Sequence, residues 1–492
     1  MPIAYAEFPY LSTILLFCVG GLMAILFIPP ERKIHIKWVS AVRSGMTLLV
    51  SIYLFCAYDK TQGGLQFVEK FEWIPSMGIS YYNGVDGFSL PMLLLTGIVF
   101  FTGVLTMWEL ENRVKEFFAL IFLLVTGVFG LFMSLDLFFI FVWYDVSLFP
   151  MYLLIAVWGS TRKEYAAMKL TLYLLAGSAL ILPAIVYLVA KSGLNTFDLV
   201  ALMQPGTFTP FQQKFGFILL FVGFGILAGV WPFHTWSPVG HVAAPTAVSM
   251  VHAGVLMKIG AFGVLRVGIF LCPQGWQYWA PLMALLATIG IVYGVFVGLS
   301  QTDLKFVIGY SSVSHMGIVG LGLATVTVDG LNGAVFQMFA HGVMTALFFS
   351  SVGYIYDRTH TKIIAELGGL SRIMPVATGY LIVAALTGIG VPCLASFWAE
   401  LAVFISSFKV YPVYGTLAVC ALVVSALFIL RVVQRTCYGP VNERFIHLED
   451  VSFNLGIPRM ILVSVIVIFG LFPGIMFDII RTASVPFING LP

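Results

Sequence analysis

The sequence predicts an all-α polytopic membrane protein of about fourteen transmembrane helices, on three observations. Of its 492 residues, 60% are hydrophobic and 10% charged, and the mean hydropathy is +1.00. A soluble chain of this size needs about 25% charged residues to cover its surface. The apolar runs are about 20 residues long, enough to cross a hydrocarbon core of about 30 Å as helices. The basic residues also alternate from loop to loop, as expected of a chain that crosses repeatedly with its positive loops on one side.

The first helix is expected over 10–30. No basic residue precedes its apolar run, so it reads as a spanning helix and not as a cleaved signal. The second covers 36–57, and residues 58–88 form the longest polar stretch, with Phe67, Phe71, Trp73, Tyr81 and Tyr82 among charges and glycines. That stretch reads as an extended or hairpin segment on the outer surface. Helices three to six follow at 89–108, 116–134, 136–158 and 167–190. The seventh, 215–236, runs into Pro232 and Pro238. The eighth to eleventh are 243–271, 279–300, 305–325 and 330–356, the last three separated only by short turns. The twelfth, 375–407, contains Pro392 in Gly388-Ile-Gly-Val-Pro, and the last two are 412–438 and 458–482.

A proline in mid-membrane frees a carbonyl, which is tolerable only where protein or water can satisfy it. Broken helices in corresponding places point to inverted repeats around a site near the midplane. The breaks fall in helices seven and twelve, so helices four to eight (116–271) and nine to thirteen (279–438) are expected to be two inverted five-helix repeats. They are flanked by an N-terminal unit, 1–115, and a C-terminal unit, 439–492.

Odd-numbered loops and their flanks carry 17 of the 25 Lys and Arg, from Arg32 to Arg459, and even-numbered loops with the tail carry seven. That bias predicts a multi-pass protein of a bacterial plasma membrane, with the odd loops in the cytoplasm and both termini outside, on the periplasmic side. The net charge of +3 is small and dispersed, so nucleic acid is not expected as a partner. The six cysteines show no CxxC spacing, which speaks against a metal or iron–sulfur site in this chain. No glycine-rich dinucleotide fingerprint or phosphate-binding loop is present.

Against this background the ionisable residues inside the apolar runs stand out: Asp145, Lys258, His315, His341 and Glu400. A charge at mid-bilayer costs roughly 2.5–3.5 kcal/mol on insertion scales, and its default reading is an ion or proton path. Lys258 and Glu400 read as relay groups, and His315 and His341 as imidazoles that exchange protons near neutrality. His234, between the two prolines, reads equally as a support for the broken helix or a water feed. Lys305, near a helix end, is a candidate input from the odd-loop side. His241, His252 and Asp136 read as structural, and His360 with Arg358 as surface contacts.

Five stretches give these residues a context: Gly84-Val-Asp-Gly-Phe-Ser-Leu90, Pro150-Met-Tyr-Leu-Leu-Ile-Ala-Val-Trp-Gly159, Ala244-Pro-Thr-Ala-Val-Ser-Met-Val-His-Ala-Gly-Val-Leu-Met-Lys-Ile-Gly-Ala-Phe-Gly-Val-Leu-Arg266, Gln301-Thr-Asp-Leu-Lys-Phe-Val-Ile-Gly-Tyr-Ser-Ser-Val-Ser-His-Met-Gly317 and Phe336-Gln-Met-Phe-Ala-His-Gly342. Together they resemble the antiporter-like subunits of respiratory complex I, chain M in particular, across roughly residues 80 to 440. The resemblance implies a proton-translocating subunit of an NADH-quinone oxidoreductase-type complex. It implies no cofactor in this chain, with quinone, NADH, FMN and iron–sulfur clusters on partner subunits. It also implies L-type and N-type antiporter-like neighbours in the membrane arm. Related membrane complexes, a D-type subunit of a multi-subunit Na+/H+ antiporter, a hydrogenase or photosynthetic dehydrogenase subunit, and a non-pumping scaffold remain open alternatives.

Carried over residue by residue, the resemblance places Lys258, His315, His341 and Glu400 on the proton axis, with Glu400 as the outward donor. Two positions depart from it. The fifth-helix Glu of the family is Asp145 here, one methylene shorter. The seventh-helix Lys, five residues before Pro232, is Leu227, and no Lys lies between Lys214 and Lys258. The family's carboxylate–ammonium gate therefore lacks its cation, and its role at Asp145 is expected to be weakened or replaced.

Overall fold

The computed structural model describes residues 2–491. Thirteen helices among them are long and apolar enough to cross a membrane. In chain order the crossings begin with α1 (Tyr10–Phe27), α2 (Lys33–Ala57), α3 (Ser89–Thr106), α4 (Val114–Met133), α5 (Leu137–Trp158) and α6 (Lys163–Ser192). They continue with α7 (Pro210–Ala243), α8 (Thr246–Ile269), α9 (Pro273–Leu299), α10 (Leu304–Ala324) and α11 (Val328–Thr359). A further crossing, α12, is built of two pieces, Pro375–Gly388 and Ala395–Val410. α13 (Pro412–Cys437) and α14 (Phe453–Leu471) complete the set. α8 is buried along its whole length and α11 from Gly330 to Ile355, so the polar groups they carry inside the membrane are shielded from lipid.

The two broken helices are where the prolines place them. In α7 the helix stops at Ala228, Gly229 takes the left-handed conformation (φ 72°), and helix resumes at Trp236. Pro238 lies inside the second piece, in its first turn, where a missing N–H costs nothing. In α12 residues 389–394 are non-helical, with Gly390 at φ 74°.

The two five-helix runs carry the same devices on opposite faces. Asp136 caps the N-terminus of α5, accepting from Phe138 N and Phe139 N, and its strand-like segment bridges to Asp198 after α6. Asp303 caps α10, accepting from Lys305 N, and bridges to Ile363 after α11. Close helix approach is also matched. A Cβ on Gly127 of α4 would lie 2.8 Å from the Ser147 N of α5, and one on Gly294 of α9 would lie 2.9 Å from the Ser314 N of α10. Small residues at such crossings let backbones pack where lipid supplies no hydrophobic drive.

On the face that holds both termini, β2 (Leu65–Ile74) and β3 (Ile79–Val85) form an antiparallel hairpin, and β1 (Ile3–Tyr5) pairs with β2 in parallel. The expected hairpin of 58–88 is therefore present. Glu69 of β2 accepts hydrogen bonds from Leu11 N and Ser12 N at the start of α1, so the hairpin caps that helix. The fourteenth helix differs from its expected span of 458–482. The crossing ends at Leu471, before Phe472-Pro473, and a separate helix, α15 (Gly474–Asn489), follows. The residue before a proline is pushed out of the helical region, and Phe472 leaves it at φ −123°, ψ 60°. α15 lies across the termini face. Its Ser484 Oγ donates to Asn332 Oδ1 of α11 at 2.6 Å, and Phe487 stacks on Phe270 at the end of α8, 4.3 Å between ring centres.

Beside α15, Arg266 of α8 donates two hydrogen bonds to Asp86, at 2.8 and 2.5 Å, with both side chains buried. Asp86 also accepts from Phe88 N and Ser89 N, so it fixes the start of α3 to the end of α8. On the opposite, odd-loop face, hydrogen bonds from Lys33 and then Lys37 hold the Glu111 carboxyl down at about 2. Removing one side of a buried ion pair leaves the other charge uncompensated, at a cost of about 3–5 kcal/mol. Arg266→Met is expected to lower the thermal unfolding midpoint of the purified protein strongly, and adding Asp86→Asn to recover part of the loss.

Candidate functional site: a buried row of ionisable side chains

The centre of the bundle is built on α8. Residues His252–Leu256 form one π-helical turn, which misaligns the backbone ladder and frees a carbonyl. The next turn begins with Met257, so Lys258 sits just beyond it and folds back to donate to Ala253 O, five residues earlier. Its Nζ also donates to His341 Nδ1 of α11 at 2.8 Å. Lys258 is fully buried, and these two contacts are what solvate its head group. Since His341 Nδ1 accepts, the ring proton of a neutral His341 resides on Nε2, which has no partner.

The row continues through α10. The His315 and His341 rings lie 5.1 Å apart, inclined at 32°. His315 Nδ1 is 3.2 Å from Glu400 Oε1 of α12 and 3.1 Å from Gln337 Nε2 of α11. Gln337 Nε2 also donates to Glu400 Oε1 at 3.2 Å. The same imidazole nitrogen thus faces one acceptor and one donor, so it is served whether or not it carries a proton. Glu400 Oε2 points toward the break of α12. A Cβ on Gly390 would come within 2.5 Å of it, and only glycine there admits the carboxylate. Buried orphan atoms accompany the row: Gln337 Oε1, Glu400 Oε2 and His341 Nε2. Such atoms mark places where water or a moving proton completes the bonding.

Of the seven residues singled out in the sequence, four are brought together here: Lys258, His341, His315 and Glu400. Three stand apart. Lys305 is buried at the odd-loop end of α10 and donates to Ala244 O at 3.0 Å. His234 is buried in the break of α7, its ring edge-on to Tyr293 at 4.8 Å, with Nδ1 unpartnered. Asp145 is only half-buried, on the flank of α5, and accepts from Ser178 Oγ of α6 at 2.9 Å. It is neither enclosed nor linked to the row, and Leu227 is fully buried in apolar packing.

One group escaped the sequence reading. Gln337 lies four residues before His341, hence on the same face of α11, and that spacing was the available signal. His241 and His252, assigned structural roles from sequence, are fully buried with rings 4.2 Å apart. His252 has no hydrogen-bond partner on either nitrogen, and His241 bonds only Ser237 Oγ through Nε2, at 3.0 Å. They occupy the space between Lys305 and Lys258 on α7 and α8.

A fourteen-crossing bundle with two broken helices and a buried row of amine, imidazoles and carboxylate defines an antiporter-like membrane subunit. Residues 134–425 match the family described as NADH:quinone oxidoreductase/Mrp antiporter, TM, and the chain belongs to that family. It is 33% identical over 481 residues to NADH-quinone oxidoreductase subunit M of Rickettsia conorii, covering 96% of this chain and 97% of that protein. It is 34% identical over 444 residues to NAD(P)H-quinone oxidoreductase chain 4-2 of Synechocystis sp., covering 88% and 79%. A chain of respiratory complex I from Thermus thermophilus superposes with a TM-score of 0.88 at 26% identity, over 98% of this chain and all of that one. A chain of the Mrp complex from Dietzia sp. shares the fold, with a TM-score of 0.88 at 19% identity, over 98% of each.

Gln337 links His315 to Glu400, and losing a hydrogen bond that serves a buried charged group costs about 1.5–3 kcal/mol. Gln337→Leu is expected to slow proton transfer along the row by about tenfold or more, with Gln337→Glu less affected. Proton translocation by membrane vesicles carrying the two variants measures the difference.

Proposed function

We propose that this chain is a proton-translocating, antiporter-like membrane subunit of an NADH-quinone oxidoreductase-type complex. The observation that carries the reading is the continuous contact from Lys258 through His341 and His315 to Glu400, buried in the middle of a bundle whose relatives are named as subunits of such complexes. The ammonium, two imidazoles and a carboxylate are groups that bind and release protons, and each lies within reach of the next. Quinone, NADH, FMN and iron–sulfur chemistry belong to partner subunits, and this chain contributes the membrane path.

Protons move from the odd-loop face, which is cytoplasmic, toward the termini face, which is the periplasmic side of a bacterial plasma membrane. The basic bias of the odd loops supports that orientation. Uptake begins near Lys305 and passes the His241–His252 pair to Lys258, and Glu400 is the outward donor. His234 holds the break of α7 open to water. Asp145, half exposed at mid-membrane, suits a surface covered by an L-type or N-type neighbour. Without a cation at Leu227 it does not gate the row as a carboxylate–ammonium pair.

Leu227 also favours a second reading, a scaffold that keeps the fold but does not pump. One experiment separates the two. Lys258→Met in the intact complex is expected to reduce NADH-driven proton translocation per quinone reduced, while the assembled subunits still co-purify. An unchanged ratio means a scaffold. If the co-purifying chains are small antiporter subunits without quinone-site or iron–sulfur partners, the oxidoreductase assignment fails instead. For orientation, an alkaline phosphatase fused after residue 491 is expected to be active, and a green fluorescent protein fused there to stay dark.

A further inference from the structure

Between Glu400 and the termini face, the second half of α12 runs beside the first turns of α11. Gly330, Gly333 and Gln337 recur at intervals of three and four on α11, so they share the face toward α12. Gln337 touches Glu400. One turn outward, a Cβ on Gly333 would lie 2.8 Å from both Val403 N and Val403 Cγ2, and 3.0 Å from Ala399 O. From the other side, a Cβ on Gly322 of α10 would lie 2.9 Å from the same Val403 methyl. The methyl is therefore seated in a notch between two α-carbons, and any side chain at 322 or 333 displaces it.

The next turn is polar. Thr327 Oγ1 and Ser406 Oγ are 2.5 Å apart, Ser406 Oγ donates to Thr325 Oγ1 at 2.9 Å, and Thr325 Oγ1 lies 3.0 Å from Thr327 Oγ1. Gly330 leaves room for this ring, since its Cβ would fall 3.0 Å from Ser406 Oγ and against Thr325 Oγ1. Thr325 and Ser406 are buried, Thr327 is half-buried, and beyond them Asp329 and Lys409 form an exposed ion pair at 4.0 Å. The order outward is carboxylate, single apolar layer, hydroxyl ring, charged rim. Gln337 Oε1, beneath the layer, is buried without a partner. A bundle sealed permanently would leave that atom unsatisfied.

We propose that Val403, seated between Gly322 and Gly333, is the outer gate of the proton path, and that the Thr325–Thr327–Ser406 ring is its outlet. This rests on the reading of Glu400 as the outward donor. When the Val403 methyl leaves its notch, water fills it. Glu400 gives one proton to that water, Ser406 takes one proton and releases its own to the ring, and Thr327 passes one to solvent at the rim. Each hydroxyl is both donor and acceptor, so one proton crosses, the water and hydroxyls are left unchanged, and Glu400 is left as a carboxylate that takes its next proton from His315. With the methyl seated, no chain of side-chain hydrogen bonds among the described residues joins Glu400 to Ser406 across the about 9 Å of helix rise between them.

The test uses the intact complex in liposomes. Val403→Thr keeps the side-chain shape and puts a hydroxyl in the notch. The resting, substrate-free proton leak is expected to rise about tenfold, equivalent to about 1.4 kcal/mol off the barrier, and to fall back when Glu400→Gln is added. Ser406→Ala with Thr327→Val is expected to slow turnover-driven proton release severalfold without raising the leak. Assembly of each variant is checked by its native size and subunit content. A Val403→Thr complex as tight as the parent, in a preparation where Lys258→Met lowers pumping, overturns the gate and leaves the proton-path reading standing. Unchanged release in the Ser406/Thr327 variant overturns the outlet. If Lys258→Met leaves pumping unchanged, the proton-path reading falls and the gate falls with it.

Discussion

The contact between the Lys258 ammonium and His341 Nδ1 sets the terms for the rest of the bundle. A primary amine at the centre of a membrane has no lipid partner, and every stabilising group must come from protein. The π-helical turn of α8 supplies one carbonyl, α11 supplies an imidazole, and burial of both helices inside the membrane keeps lipid away. That imidazole lies beside His315, 5.1 Å between ring centres, and His315 in turn meets Glu400 and Gln337. A row of proton-binding groups follows from solvating one amine without water.

Much of this was legible in the sequence because the membrane imposes few solutions. Helix number, the prolines that break α7 and α12, and the hairpin between α2 and α3 all follow from run length, proline chemistry and polarity. The ionisable residues of the row were legible because their presence in apolar runs demands explanation. Gln337 was not, since an uncharged amide draws no attention until a helix places it beside His341. Nor was α15. An apolar stretch of spanning length crosses 471–474 without a charge, and only the geometry imposed by Phe472-Pro473 turns it out of the membrane path. The pairing of His241 with His252, and the fact that three of their four nitrogens bond nothing, likewise emerge only when α7 is packed on α8.

The two halves of the bundle have been treated unequally. The inverted runs share capping aspartates, strand-like bridges and glycine-mediated crossings, yet only the second run and α8 retain a connected set of titratable groups. In the first run, α5 offers a shorter carboxylate turned toward the flank and α7 offers Leu227 inside apolar packing. Fold and polar axis are therefore separable. The packing that makes the architecture depends on small residues and caps, and survives when a charge pair is lost.

The cap on the termini face carries a consequence for biosynthesis. Its pieces come from the extremes of the chain: β1 docks on β2 near the beginning, and α15, the final helix, reaches back to Tyr58, Asn332 and Phe270. During synthesis the ends of α8 and α11 remain uncovered until residue 474 onward has been made. A polypeptide lacking α15 would present Asn332 and the Phe270 ring without their cover. The sixteen-residue α15 therefore closes this face, and the packing of α8 and α11 at that end depends on a segment made long after them.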